Sequence, residues 1–237
     1  MKKPPFDDIN VRQALNLAID KKTLADVVLK KMSQPAKGVL PPGFPGFNPN
    51  LKGLDYDPKK ALDLIKASKY GDPKKLPEIT LYTTGAGGTA GPILTAIVEM
   101  IKQTFGIEVA IQQMEFATFL QELNKRPTTF QMYSIGWIAD YPDPQDFLEI
   151  LFHGNSLDNH MGYNNPEVNR LLDQAAVEPD QKKRFDLYAQ AEQIIVTDAG
   201  WIPLFVGEDY WLTKPYVKDL INPPFIIPRL RYASISR

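Results

Sequence analysis

Apolar positions recur at helical spacing in several parts of the chain. Val11, Ala14, Leu15, Ala18 and Ile19 fall at i, i+3, i+4, i+7 and i+8, and Asn10 with Gln13 reads as a capping box in front of them. Asp20 is placed to cap a second, short helix carrying Leu24, Val27 and Val28. Asp57-Pro58, Asp143-Pro144 and Asn165-Pro166 each put a capping side chain before a proline, whose missing N–H costs a first turn nothing. They predict helices through Ala61-Leu62-Ile65, Phe147-Leu148-Leu151 and Leu171-Leu172-Ala175. A longer helix is predicted from Asp180 to about Thr197, with Phe185, Tyr188, Ala189 and Ile195 inward.

Strand patterns are fewer. Ile79–Thr84 is followed by a Gly-rich turn and a helix with Ile93, Ile97, Ile101 and Phe105 on one face, and Glu108–Met114 then reads as a second strand. This is a βαβ unit, whose strands should run parallel. A short helix (Phe116, Phe119, Leu120, Leu123) leads to a third predicted strand, Phe130–Trp137. A Pro- and Gly-rich loop fills 34–56 and is too long for a plain connector. Beyond Trp201 the helical pattern stops: Trp201–Thr213 reads as extended, and the tail through Pro223, Pro224 and Pro228 as irregular.

Composition narrows the function classes. Net charge is −1, from 27 Lys+Arg against 28 Asp+Glu, so no basic excess points to nucleic acid. The chain has no cysteine, which excludes disulfides, thiolate metal sites and cysteine nucleophiles. With 237 residues it can bury a core without a metal to hold it. No apolar run reaches the length of a membrane span, and Met1-Lys2-Lys3-Pro4-Pro5 has no apolar stretch behind it to make a secretory leader.

Four stretches are candidates for chemistry. Gly85–Gly91 satisfies G-x-G-x-x-A between strand and helix, with Glu115 ending the next strand where a ribose-binding acid could stand; that is a nucleotide site, or else a plain turn at a helix start. His153, Asp158 and His160 offer three metal-ligand types, but at a spacing that fits no standard site. Asp140 and Asp143 could be the paired carboxylates of a glycoside hydrolase, although Asp143 is also explained as a cap. Most informative is Tyr133–Pro144, where a strand ends at Gly136-Trp137, Asp140 follows and a capped helix begins. In open α/β sheets ligands sit beyond the carboxyl ends of the strands. Gly136 admits another backbone, Trp137 gives a flat apolar wall and Asp140 an uncovered carboxylate for a cation.

Gly136-Trp137-Ile138-Ala139-Asp140-Tyr141-Pro142-Asp143-Pro144 resembles the Gly-Trp-x-x-Asp-Tyr-x-x-Pro segment of the extracellular solute-binding proteins of the peptide/nickel ABC-transporter family. The stretches 5–21, 35–42 and Ile202-Pro203-Leu204-Phe205 are similar to other parts of that family, in the same order. The resemblance implies an α/β, periplasmic-binding-protein-like (class II) lobe with a mixed sheet flanked by helices and an extended C-terminal segment. Residues 1–200 would be the second lobe of a two-lobed protein, and residues 201–237 the crossover strands and the segment returning to a first lobe outside this chain. It also implies a non-enzymatic receptor without cofactor or metal, periplasmic or extracytoplasmic and membrane-associated through parts absent from this chain. Such a receptor hands a small ligand, here a peptide, to an ABC permease. By the same resemblance Asp140 would pair with the peptide's α-ammonium group, and Gly136, Trp137 and Ile138 would offer main-chain hydrogen bonds. Some peptide binders carry an arginine two residues before the glycine; this chain has Ser134. Related members take nickel chelates or oligosaccharides instead.

Overall fold

In the computed structural model, which describes residues 1, 3–85, 90–126, 128–221 and 230–236, the βαβ unit forms as its pattern requires. Strand β2 (Ile79–Thr84) lies between β3 (Val109–Met114) and β4 (Met132–Tyr133) in a three-stranded parallel sheet. Its register with β3 runs unbroken from Ile79 opposite Val109 to Thr84 opposite Met114. Because side chains alternate along a strand, each face collects its own residues. Ile79, Leu81 and Met132 share one face with Ile97, Ile101 and Phe105 of α4 (Pro92–Phe105). That core continues into α1 (Ile9–Leu17), the short α2 (Lys21–Thr23) with its π-wound extension Leu24–Val28, and α3 (Pro58–Ala67). On the other face Tyr82, Met114 and Tyr133 pack with Phe130 against Phe119 and Leu123 of α5 (Phe116–Leu123).

A second core is built on three helices. α6 (Gln145–Phe152), α7 (Pro166–Val177) and α8 (Gln181–Thr197) bury Phe147, Leu148, Phe152, Leu172 and Tyr188 together with Val39, Leu40 and Ala139. Side chains of α1 tie it to the sheet: Arg12 donates to the Asp198 carbonyl at 3.0 Å and Gln13 to that of Thr197 at 2.7 Å.

Among the described residues antiparallel pairing is confined to two ribbons. β1 (Ser33–Pro35) pairs with β5 (Phe205–Gly207), and β6 (Val217–Lys218) with β7 (Ser234–Ile235). The architecture is thus α/β with helices flanking the sheet, and parallel and antiparallel strands sit in separate sheets.

Most predicted caps hold. Asp20, Asp57, Asn165 and Asp180 each accept a backbone N–H of the helix that follows. Two differ. The first helix is capped by Asp8, which accepts the Asn10 N–H at 2.9 Å, so the turn closes before Asn10 can cap it. The third strand shrinks from Phe130–Trp137 to Met132–Tyr133, because Phe130 turns into the α5 core and the chain beyond Ser134 has no neighbouring strand among the described residues.

Candidate functional site

The predicted site lies on the loop that carries the chain from the sheet to the helical core. Ser134 makes the last rung, donating its N–H to the Tyr82 carbonyl at 2.9 Å. From Ile135 to Ile138 no backbone–backbone hydrogen bond occurs among the described residues. Gly136 is exposed, and a side chain there would meet nothing within 4 Å. Ile138 is 80% exposed, and the next residue, Ala139, is buried in the helical core. The loop therefore presents a stretch of backbone whose donors and acceptors are unused among the described residues.

Asp140 closes this stretch. It is exposed, and among the described residues its carboxylate makes no hydrogen bond or ion pair. Its backbone is fixed: the Asp140 N–H donates to Asp146 Oδ2 at 3.2 Å, and the indole Nε1–H of half-buried Trp137 donates to the same oxygen at 3.1 Å. Asp146 sits in the first turn of α6 and is completely buried. Burial holds its carboxyl above the usual carboxylate range, with the charges of Asp140 and Asp143 adding and the two N–H bonds opposing. The Tyr141 phenol is pushed up by burial and by the carboxylates of Asp146, Asp143, Glu149 and Asp140 around it. Gly136, Trp137, Ile138 and Asp140 are thus brought onto one short loop. The sequence pattern does not single out Asp146: an acidic residue in the first turn of a helix is ordinary there, and only the fold aims it at Trp137.

The rival readings fare differently. Asp143 is no partner for Asp140 in acid–base chemistry, since Arg184 grips both of its oxygens at 2.6 Å while Oδ1 also accepts the Gln145 N–H at 3.0 Å. His153 faces Asp173 at 3.2 Å and accepts the Asn155 N–H on Nδ1, so it is not joined with Asp158 and His160; no metal-ligand cluster of three occurs among the described residues. Residues 86–89 of the Gly-rich turn lie outside the described residues. Beside them Thr83, Thr84, Gln113 and the first turn of α4 line a cavity of about 210 Å³. Glu115, the expected ribose acid, caps α5 instead, accepting the Thr118 N–H at 3.1 Å.

Comparison with known proteins bears on this geometry. Residues 1–159 match the family described as bacterial extracellular solute-binding proteins, family 5 Middle. The chain is 31% identical over 229 residues to the oligopeptide-binding protein OppA of Bacillus subtilis (strain 168), covering 92% of this chain and 41% of that protein. It is 32% identical over 236 residues to the dipeptide-binding protein DppE of the same organism, covering 97% and 43%. Among solved structures, the murein tripeptide binding protein MppA of Escherichia coli superposes with a TM-score of 0.86 at 29% identity, over 99% of this chain and 46% of that one. The periplasmic binding protein DppA of Helicobacter pylori, in complex with the peptide STSA, gives 0.78 at 30% identity, over 87% and 40%. The chain thus spans less than half the length of these relatives, and its fold is that of periplasmic binding proteins. With two thirds of its residues matched by the family and the matched region containing the Gly136–Asp140 loop, the chain belongs to the bacterial extracellular solute-binding proteins of family 5.

Proposed function

We propose that this chain forms one wall of a peptide-binding cleft in the solute-binding component of an ABC importer. The observation that carries the reading is the juxtaposition of a backbone edge, Ile135–Ile138, with the Asp140 carboxylate, both unpaired among the described residues. An extended peptide adds to such an edge as a strand would, and main-chain bonding is indifferent to its side chains. The charge-assisted contact of its α-ammonium group with Asp140 then fixes its direction. The half-buried Trp137 gives the ligand a rigid apolar wall.

In the whole receptor, residues 1–200 are the second lobe, and residues 201–237 cross back to a first lobe that closes over the ligand by hinge motion. The exposure of Tyr210, Trp211, Leu212 and Tyr216 supports this division, because apolar side chains in a row want a partner surface. The receptor works outside the cytoplasmic membrane without catalysis and delivers its peptide to a membrane permease. Peptide-binding relatives on either side of the comparison, OppA and DppE by sequence and DppA by structure, support the ligand class.

A ¹⁵N–¹H NMR titration of the 237-residue chain with tri-alanine tests the reading. Shifts clustered on Ile135–Tyr141, lost in Asp140→Asn, are expected. Shifts confined to Gly85 and Gly91 on addition of NAD would replace the receptor by a nucleotide-dependent enzyme.

A further inference from the structure

We infer that Asp146 is the positioning residue of this site: one buried oxygen fixes both the Trp137 ring and the Asp140 backbone in the posture that a ligand meets. The inference rests on the peptide-cleft reading and adds to it a residue that touches no ligand.

A carboxylate in the first turn of a helix ordinarily serves the unpaired N–H groups of that turn. In α6 that service falls to Asp143, whose Oδ1 accepts the Gln145 N–H. Among the described residues the Asp146 side chain accepts from the loop alone, from the Trp137 indole and the Asp140 N–H. These donors are three residues apart, so a single oxygen closes a small ring across Ile138 and Ala139. Within that ring Ala139 turns into the helical core and Ile138 outward.

Charge is needed for this. A carboxylate oxygen accepts two donors strongly and asks for none in return, whereas an amide would bring a buried NH₂ in search of a partner. The cost is visible. Asp146 is 0% exposed and its Oδ1 is buried with no hydrogen-bond partner. Asp140 and Asp143 bring like charge from the loop, and Arg184 of α8 offsets only that of Asp143. A buried carboxylate beside two others is an expensive way to hold a loop, and it holds the one loop on which Trp137 and Asp140 must be exact.

The test uses the ¹⁵N-labelled 237-residue chain, with the Trp137 indole signal assigned through Trp137→Phe. In Asp146→Ala the Trp137 indole and Asp140 amide signals should move, and exchange of the indole proton with water should quicken about tenfold, the loss of one charged hydrogen bond. Amides of β2 and β3 should stay in place. Asp146→Asn keeps one acceptor oxygen and the side-chain shape, so it should retain the fold with both signals displaced less far. Affinity for tri-alanine should drop about tenfold in Asp146→Ala. Unmoved indole and amide signals in Asp146→Ala would overturn the inference, as would moved signals with unchanged affinity. Loss of the fold in both variants would also overturn it, by assigning Asp146 to the core. If the unsubstituted chain shows no shifts with tri-alanine, the peptide reading fails by itself, and the ligand-free signals still decide what Asp146 holds.

Discussion

Arg184 on α8 holds Asp143 through two parallel bonds of 2.6 Å, one to each carboxylate oxygen, across 41 residues of chain. The pair joins the turn behind the candidate site to the longest helix of the helical core, and the guanidinium also lies 5.2 Å from the Tyr188 ring. Both side chains are about three-quarters shielded, so solvent weakens the pair less than it would a surface ion pair.

Arg184→Gln should therefore cost about 2 kcal/mol, the range of a hydrogen-bonded charge pair that is partly buried. Urea denaturation at neutral pH measures it. A loss under about 0.5 kcal/mol would mean that the geometry contributes no more than an ordinary surface pair.

Asp140 and Leu148 should separate function from stability. Asp140 is exposed with no side-chain partner among the described residues, so Asp140→Ala should alter unfolding free energy by no more than about 0.5 kcal/mol. Leu148, fully buried between α6 and its neighbours, should lose about 3 kcal/mol on substitution by alanine. Denaturation of the two variants side by side gives both numbers; a large cost at Asp140 would place it in the scaffold.

These two residues also mark how much could be read from the sequence. Caps at Asp57, Asn165 and Asp180 were legible because a helix start is a local event: a short acceptor, often a proline, then apolar periodicity. The paired strands β2 and β3 were legible from their alternation and the helix between them. The exposed loop from Gly136 to Asp140 was reached through its composition and its family resemblance. Asp146 was not, because its role depends on burial against Trp137, and nothing in a Pro-x-Asp spacing says which way the carboxylate will face. The length of β4 was missed for a similar reason: an apolar run does not reveal where its neighbour ends.

Glu192 should make stability depend on pH. Its Oε1 accepts the N–H groups of Val39 and Leu40 at 2.7 and 2.9 Å, anchoring the Pro-rich loop to α8. Burial nevertheless holds its carboxyl above the usual range, the two N–H bonds opposing less strongly. The native state then binds the proton more tightly than the unfolded chain does. Between the ordinary glutamate value, about 4.3, and the raised native one, stability contributed by this residue falls as pH rises. Glu192→Gln removes that titration, so the variant should gain on the parent as pH goes from about 4 to 7. Parallel stability curves for the two proteins over that range would count against it. Glu192→Ala, which leaves two buried N–H groups without an acceptor, should cost about 3 kcal/mol near pH 4 and less near pH 7, since it removes the same titration.

Trp211 is half-exposed and Leu212 fully so, with Tyr210 and Tyr216 uncovered beside them. Neither Trp211 nor Leu212 belongs to any of the buried clusters. A row of uncovered apolar side chains associates with whatever apolar surface it meets, and in a solution of this chain the available surface is a second copy. Sedimentation velocity should thus show self-association that rises with concentration. The double substitution Trp211→Ser, Leu212→Ser should reduce that association while moving the melting temperature by less than about 2 °C, because it removes no core contact. A clean monomer at high concentration, or a large loss of melting temperature in the variant, would mean that this stretch is already packed against its own chain.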